Sequence, residues 1–328
     1  AADYVLKAYN SLAVDKEQIY EVDSLVYEQN EPNEYALQQL DKLIKQNQKS
    51  LTILHKLTHI EHSRYPIDFT NGRNRSIEYL AEIRRLAQFL KLETLHYAYN
   101  GQSEKAIHSI EVMEALANTL DNVPSVVSYI VRMSLKALAT KTCERLLFQM
   151  ELSQQQLTEL VKFVDYSREK RILAQSLAGD LCTAINTDYA KPDLQKLAYS
   201  TRWWQPPLVK ISCLTGLVKM DKAMLASVYR NYIAACKKSD HKLLKYFKEL
   251  HKKAKSASKI HIVFFSWNYH LARIAEMYVR GSTGASTTRT GLAVERYRLA
   301  NGIYPEKLSD IVPEFIEEIP EDPFDGND

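Results

Sequence analysis

Apolar positions along this chain recur at helical spacing. Stepping by sevens from Leu271 gives Leu271, Tyr278, Ala285, Leu292 and Leu299; from Trp267 it gives Trp267, Ile274 and Gly281. Both rows stay in phase across Gly281-Ser282-Thr283-Gly284, a stretch whose composition suits a linker. Phase retention predicts one long helix from Trp267 to Gly302. Asn301-Gly302 is a stop signal, because glycine closes a helix in the left-handed conformation without a Cβ clash. Tyr304 precedes Pro305 and is driven to an extended conformation. Pro305 suits the first position of a short helix, Pro305 to Val312, and Pro313, Pro320 and Pro323 keep the remainder mostly extended. Leu308, Ile311, Val312, Phe315, Ile316 and Ile319 are too apolar for a free tail and should fold back onto the long helix. On a helical wheel Leu292, Ala293, Val294, Tyr297, Leu299 and Ala300 share one arc, and Arg296 falls inside it. An unpaired buried guanidinium is very costly. Arg296 should therefore bond tail carbonyls or a tail carboxylate such as Asp322 or Asp325, or else lay its stem on the apolar surface with its head in water.

The earlier chain reads as further helices. Tyr4 to Tyr27 holds one or two short ones, and Glu31-Pro32 opens a longer one running to about His62. His55, His59 and His62 fall in a narrow sector of it, a spacing that can bind a metal. Ile53, Leu57 and Ile60 lie opposite, so these histidines read as the wet face. Ser63 to Asn74, with Tyr65-Pro66 and Asn71-Gly72, is a loop. Ile77, Leu80, Ile83, Leu86 and Leu90 make a stripe in Ser76 to Leu120; Val127, Ile130, Val131, Leu135 and Leu138 make another in Val123 to Met150. Ser153 and Gln156 form a capping box before a helix to about Val164, and Ser167 to Thr187 follows. Short turns between helices imply antiparallel stacking.

Asn186 to Pro207 interrupts this pattern. Pro192, Pro206-Pro207 and the pair Trp203-Trp204 mark a candidate boundary, with the tryptophans as a plug between packed layers. One or two helices follow in Pro207 to Lys238. Lys237 to Lys259 is then rich in lysine, with Leu243, Leu244, Phe247 and Leu250 as an apolar stripe. Lys242, Lys245, Lys248, Lys252 and Lys253 form a candidate surface for anionic lipid, or a solvated face of a core helix. Arginine and aromatic residues do not interleave there, so nucleic acid is not an expected partner.

Composition narrows the class. The chain has 328 residues, 45% of them hydrophobic, with only 9 Gly and 10 Pro. No run of alternating β-branched residues stands out. The expected fold is all-α, built of antiparallel stacked helical hairpins with a long C-terminal helix and a folded-back tail. The organisation is an N-terminal region, 1–190, and a C-terminal region, 191–328, or one continuous domain. A net charge of +3 says little about partners. No apolar run spans a bilayer and no signal peptide is present. Cys143, Cys182, Cys213 and Cys236 lie in predicted helices without metal spacing and read as buried free thiols, with a disulfide left open. No phosphate-binding glycine loop, HExxH, nucleophile elbow or dinucleotide fingerprint occurs. No cofactor is expected.

Two stretches resemble known families. Tyr97, Gly101, Ala106 and Ile110 look like the tyrosine, turn glycine and packing positions of one tetratricopeptide repeat, although Met113 replaces the usual alanine and Pro124 arrives late. Leu292-Ala293-Val294-Glu295-Arg296-Tyr297-Arg298-Leu299-Ala300-Asn301-Gly302-Ile303-Tyr304-Pro305 resembles the end of the long helix and following turn of major pseudopilins of type II secretion. Ile319-Pro320-Glu321-Asp322-Pro323-Phe324-Asp325-Gly326 resembles their PxDPWG turn. This likeness covers roughly a tenth of the chain. The chain as a whole is similar to uncharacterised bacterial exported proteins that join a helical region to such a tail. Pseudopilins carry the long helix at the N-terminus and continue into strands, so the likeness implies a reused packing unit rather than a pilus subunit. It implies tail docking through Arg296, Tyr297, Gly302, Tyr304, Pro305, Asp322 and Asp325. Some pseudopilins bind calcium after this turn; Glu321, Asp322, Asp325 and Asp328 lack that spacing and read as a solvated acidic tail. The likeness also implies a bacterial envelope location, with an export signal or anchor ahead of Ala1. The leading expectation is a non-catalytic, envelope-facing scaffold that binds an unidentified protein. The alternatives are attachment to an anionic membrane surface and an all-α enzyme whose site motifs do not reveal.

Overall fold

The computed structural model describes residues 1–27, 32–67, 77–187, 216–257, 271–322 and 324. Within them every regular element is helical and none is a strand, so the fold class is all-α. The helices are α1 (Ala2–Asn10), α2 (Lys16–Tyr27), α3 (Glu34–Gln46), α4 (Gln48–Leu54), α5 (Tyr79–Tyr99), α6 (Ser103–Asn118), α7 (Val126–Gln149), α8 (Gln154–Phe163), α9 (Glu169–Asn186), α10 (Leu217–Ala235), α11 (Asp240–Ala257) and α12 (Leu271–Asn301). Short 3₁₀ turns lie at His55–His59 and Leu308–Ile311.

Local chemistry places several boundaries. Asn33 caps α3 by accepting from the Ala36 N–H, and Ser153 and Gln156 cap α8 reciprocally. Gly101, at φ 68°, turns α5 back into α6. The segment expected to be one helix from Glu31 to His62 breaks at Asn47. That side chain is fully buried: its Oδ1 accepts from the Ala13 N–H at 2.7 Å, and its Nδ2 donates to the Leu43 carbonyl at 2.8 Å. A polar clasp to the turn after α1 thus outweighs helix continuity, and His62 lies beyond the helical residues.

α5 and α6 form a hairpin, and α7 packs along both. One core lies on the N-terminal side, where α1 to α4 meet α5. A second runs from Ala98 to Leu292, uniting α7 to α12. α7 serves both. Val131, Leu135 and Ala139 face the first core; Tyr129, Met133, Cys143 and Leu146 face the second. The single stripe expected on α7 is therefore too narrow, and its member Val127 is exposed.

α12 runs unbroken for 31 residues through Gly281 and Gly284, about 46 Å at the usual helical rise. Its middle is rich in weak helix formers, and tertiary contacts make up the difference. Thr283 and Thr290 return their hydroxyls to carbonyls one turn back. Ser282 donates to Asp240 and Thr288 to Glu144. A Cβ on Gly281 would stand 2.9 Å from both Met133 and Tyr166, so glycine permits the close approach of α12 to α7.

Gly302, at φ 77°, ends α12. The tail then folds back: Ile311 and Phe315 are buried against Ala293, with Val294, Tyr297, Val312 and Ile316 around them. Only Leu308–Ile311 is helical in the stretch expected as Pro305 to Val312. Asp310 accepts from the Lys307 N–H and starts the turn late, and Pro313 follows at once. Leu308 is exposed, contrary to its apolar character.

Glycine positions give a paired test of this packing. On α9 a Cβ at Gly179 would overlap the Pro124 backbone, whereas one at Gly284 meets nothing. Gly179→Ala should destabilise by ~1–3 kcal/mol through overpacking. Gly284→Ala should stabilise by ~0.5–1 kcal/mol through helix propensity. Chemical denaturation reads both, and equal effects would contradict the packing described.

Candidate functional site

α7 carries two opposed faces. At ~100° per residue, Arg132 and Lys136 share one side, while Ser134, Ala137, Leu138 and Lys141 share the other. The first side is buried and charged. Arg132 is 1% exposed. Its Nε and NH2 donate to the two Glu169 oxygens at 3.1 and 2.7 Å, and its NH1 donates to Asn118 at 3.0 Å and pairs with Asp121. Lys136 Nζ lies 2.5 Å from Glu114 and 3.7 Å from Glu169, over the Tyr166 ring. Arg168 closes the cluster by donating to Asp121 at 2.6 Å. Charge therefore ties α6 and its following turn to α7 and the start of α9.

Burial pushes the Glu114 carboxyl above its ordinary range, with Lys136 pulling the other way. Burial likewise raises Asp121 against the pull of Arg132 and Arg168. Burial also opposes the charge on Arg132, but Glu169, close and hydrogen bonded, outweighs it and holds that pKa up. A cavity of about 320 Å³ borders the cluster, lined by four cations and four carboxylates. The lining is balanced in charge, and the paired groups clamp α6, α7 and α9 together.

The opposite face of α7 floors an open groove of about 940 Å³. Tyr9 of α1, Lys16, Ile19 and Tyr20 of α2, and the Ala81–Gln88 part of α5 form one wall; Arg273, Glu276, Met277, Arg280 and Gly281 of α12 form the other. Six cations line it, Lys16, Arg84, Arg85, Lys141, Arg273 and Arg280, against two carboxylates, Glu82 and Glu276. That local excess of four exceeds the net +3 of the whole chain. Arg85 is held, donating to the Tyr9 hydroxyl at 3.1 Å. Arg84, Lys141, Arg273 and Arg280 pair with no carboxylate among the described residues. Glu276 already faces Lys248 of α11 at 3.5 Å. Burial, then repulsion from Glu78, raises the Glu82 carboxyl, with Arg85 opposing.

The residues singled out from sequence lie elsewhere. Lys242, Lys245, Lys248, Lys252 and Lys253 are all exposed on α11, whose Leu243, Leu244 and Phe247 are buried. At the tail, Arg296 NH1 donates to the Phe315 carbonyl at 3.1 Å and its guanidinium lies 5.7 Å from that ring. Tyr297 packs edge-on against Phe315. Tyr304, beside Pro305, donates to Glu295 at 3.0 Å. Asp322 accepts from the Phe324 N–H, and Asp325 lies outside the described residues. So do Trp203, Trp204 and Cys213.

The histidines divide. His59 and His62 are exposed, but His55 meets both oxygens of buried Glu93 at 3.0 Å and the ring of His108 at 5.0 Å. Ser109 donates to the same Glu93 at 2.9 Å. The carboxylate thus stands between serine and imidazole, so His55 has no path to the Ser109 proton. An activated serine needs the imidazole in the middle. No group of three metal-ligating side chains occurs among the described residues. Burial pushes the Cys143 and Cys236 thiols up to about 12, keeping them protonated, while Cys182 is exposed, contrary to the expectation of burial. No described helix is long and apolar enough to cross a membrane.

The groove cations escape sequence reading because they come from four helices. The signals that existed were the Arg84-Arg85 pair and the i, i+7 spacing of Arg273 and Arg280, neither of which indicates a shared surface before folding. No known family, curated protein or solved structure matches the chain.

The clamp can be tested without a ligand. Arg132→Met strips buried Glu169 of both its short hydrogen bonds, leaving Lys136 at 3.7 Å, and should cost ~3–5 kcal/mol. Arg132→Met with Glu169→Leu should cost less than the two single changes summed, by ~1 kcal/mol or more. Additive losses in a denaturant-based double-mutant cycle would refute the coupling.

Proposed function

We propose that this protein is a non-catalytic helical scaffold of the bacterial cell envelope that holds a protein partner in the groove floored by α7. The observation that carries the reading is the open groove itself, whose cations outnumber its carboxylates six to two and are largely unpaired. Positive charge left unneutralised at a concave surface attracts and orients an incoming anionic group. The floor and walls add apolar contact from Leu138, Met277 and half-exposed Tyr20. Methionine adapts to varied partners, and tyrosine supplies area at little entropic cost. The arrangement of Glu93 between Ser109 and His55, and the burial of Cys143 and Cys236, favour a binding role over nucleophilic catalysis.

The envelope placement rests on the resemblance of residues 292–305 to pseudopilins. The α5–α6 hairpin, with Tyr97, Gly101 and Ala106, supports a tetratricopeptide-like reading of that unit. A second reading, attachment to an anionic membrane surface, is favoured by the exposed lysines of α11.

The experiment is site-specific photocrosslinking from Gln88, on the groove wall, and from Lys252, on α11, in cells making the protein. A discrete polypeptide adduct should form from Gln88. It should vanish when Ser134→Trp fills the groove floor, with the melting temperature unchanged. Adducts that survive Ser134→Trp, or arise equally from Lys252, would overturn the groove as the docking site. For the membrane reading, anionic vesicles should bind the protein and release it when the five α11 lysines become glutamine; persistent binding removes it.

A further inference from the structure

The geometry points to a specific class of occupant for this groove, an acidic amphipathic helix that sets carboxylates between Arg273 and Arg280 of α12 and Arg84 of α5, and an apolar stripe on Leu138, Met277 and Tyr20. This deepens the scaffold reading and rests on it.

Dimensions support a helix. An α-helix with side chains is ~10–12 Å across with a 5.4 Å pitch, so one turn takes roughly 400–600 Å³. The groove, at about 940 Å³, admits about two turns. Arg273 and Arg280 stand two turns apart on α12, ~10.5 Å along its axis. A partner helix lying alongside, with carboxylates at i and i+7, matches both. Met277 sits between the two arginines, where the partner's apolar stripe would pass.

Charge supports acidity in that helix. Arg84, Lys141, Arg273 and Arg280 lack carboxylate partners among the described residues. Glu276, the carboxylate on their wall, is turned towards Lys248. Glu82 remains as the groove's inherent repulsion for an acidic guest. Concavity decides between a helix and a membrane: walls of α2, α5 and α12 stand on both sides of the floor, a shape that a rod can enter and a flat bilayer surface does not follow. Tyr9 and Tyr20 are the aromatic residues lining the groove, too few to stack a run of bases.

The test uses fluorescence anisotropy with the full chain and a labelled peptide of about 15 residues, long enough to form helix on binding. It carries leucines at helical spacing and glutamates at i, i+3 and i+7. A scrambled peptide of equal composition is the control. The patterned peptide should bind, and more weakly as salt rises. Arg273→Glu with Arg280→Glu should weaken it on the order of thirtyfold, while Lys252→Gln with Lys253→Gln leaves it unchanged. Glu82→Gln should tighten it roughly two- to fivefold, a gain that a merely structural role for Glu82 would not produce. Both arginines are exposed, so circular dichroism should show the fold intact in the charge-reversed protein. Equal binding of the scrambled peptide, indifference to the arginine reversal, or arginine-dependent capture by anionic vesicles instead of peptide would overturn the proposal. If no peptide binds while the Gln88 adduct still disappears with Ser134→Trp, the scaffold stands and the acidic helix falls. If neither effect is seen, both fall.

Discussion

The buried pairing of Arg132 with Glu169 is the constraint on which the rest of the molecule depends. A charged side chain in the centre of a helical core is costly unless it is paired and its hydrogen-bonding capacity is met. Here one guanidinium reaches Glu169, Asp121 and Asn118, and Lys136 one turn later reaches Glu114. Apolar side chains of similar size could fill the same space with comparable stability. They would not fix rotation. A guanidinium forked onto one carboxylate admits one orientation of α7 about its axis. Because that helix contributes to both hydrophobic cores, its orientation decides which residues each core receives.

The same orientation sets the outer surface. With Arg132 and Lys136 pinned inward, Ser134, Leu138 and Lys141 must face out, on the opposite side of a 3.6-residue helix. The groove floor is thus the reverse of the clamp. Its far wall is placed by Gly281, which lets α12 lie against Met133 and Tyr166 while itself lining the groove. A side chain there would press α12 away from α7 and widen the cleft. The shape of the groove and the packing of the core consequently depend on the same two residues, Arg132 and Gly281.

Much of the fold was legible in the chain because periodicity reports local structure. The unbroken α12, the turn at Gly101, the capping box at Ser153 and the folded-back tail follow from spacing and from residues with strong backbone preferences. The late start of the tail turn is local, set by Asp310 on the Lys307 N–H, but the larger misses come from contact with residues distant in sequence. Asn47 breaks a helix because the Ala13 N–H needs an acceptor. His55 leaves the wet face because Glu93 draws it in. The stripe read on α7 is too narrow because that helix serves both cores, and its buried cations look like surface residues until their carboxylates are found on α6 and α9.

The groove was invisible for a related reason. Formal net charge averages over the whole chain, and +3 from 43 cations and 40 anions carries no sense of place. The lysine-rich α11 stands out in sequence because its charges are contiguous, and those lysines lie on the exposed surface of one helix. Cations drawn from four helices converge on a concave surface, where low-dielectric walls on both sides reduce screening and each charge acts on the same volume. A group entering that volume meets several unpaired cations at once, whereas the α11 lysines lie along one helix face with Lys248 already facing Glu276. That difference in geometry, more than any difference in the number of charges, is the reason for proposing the α7 groove over α11 as the place of recognition.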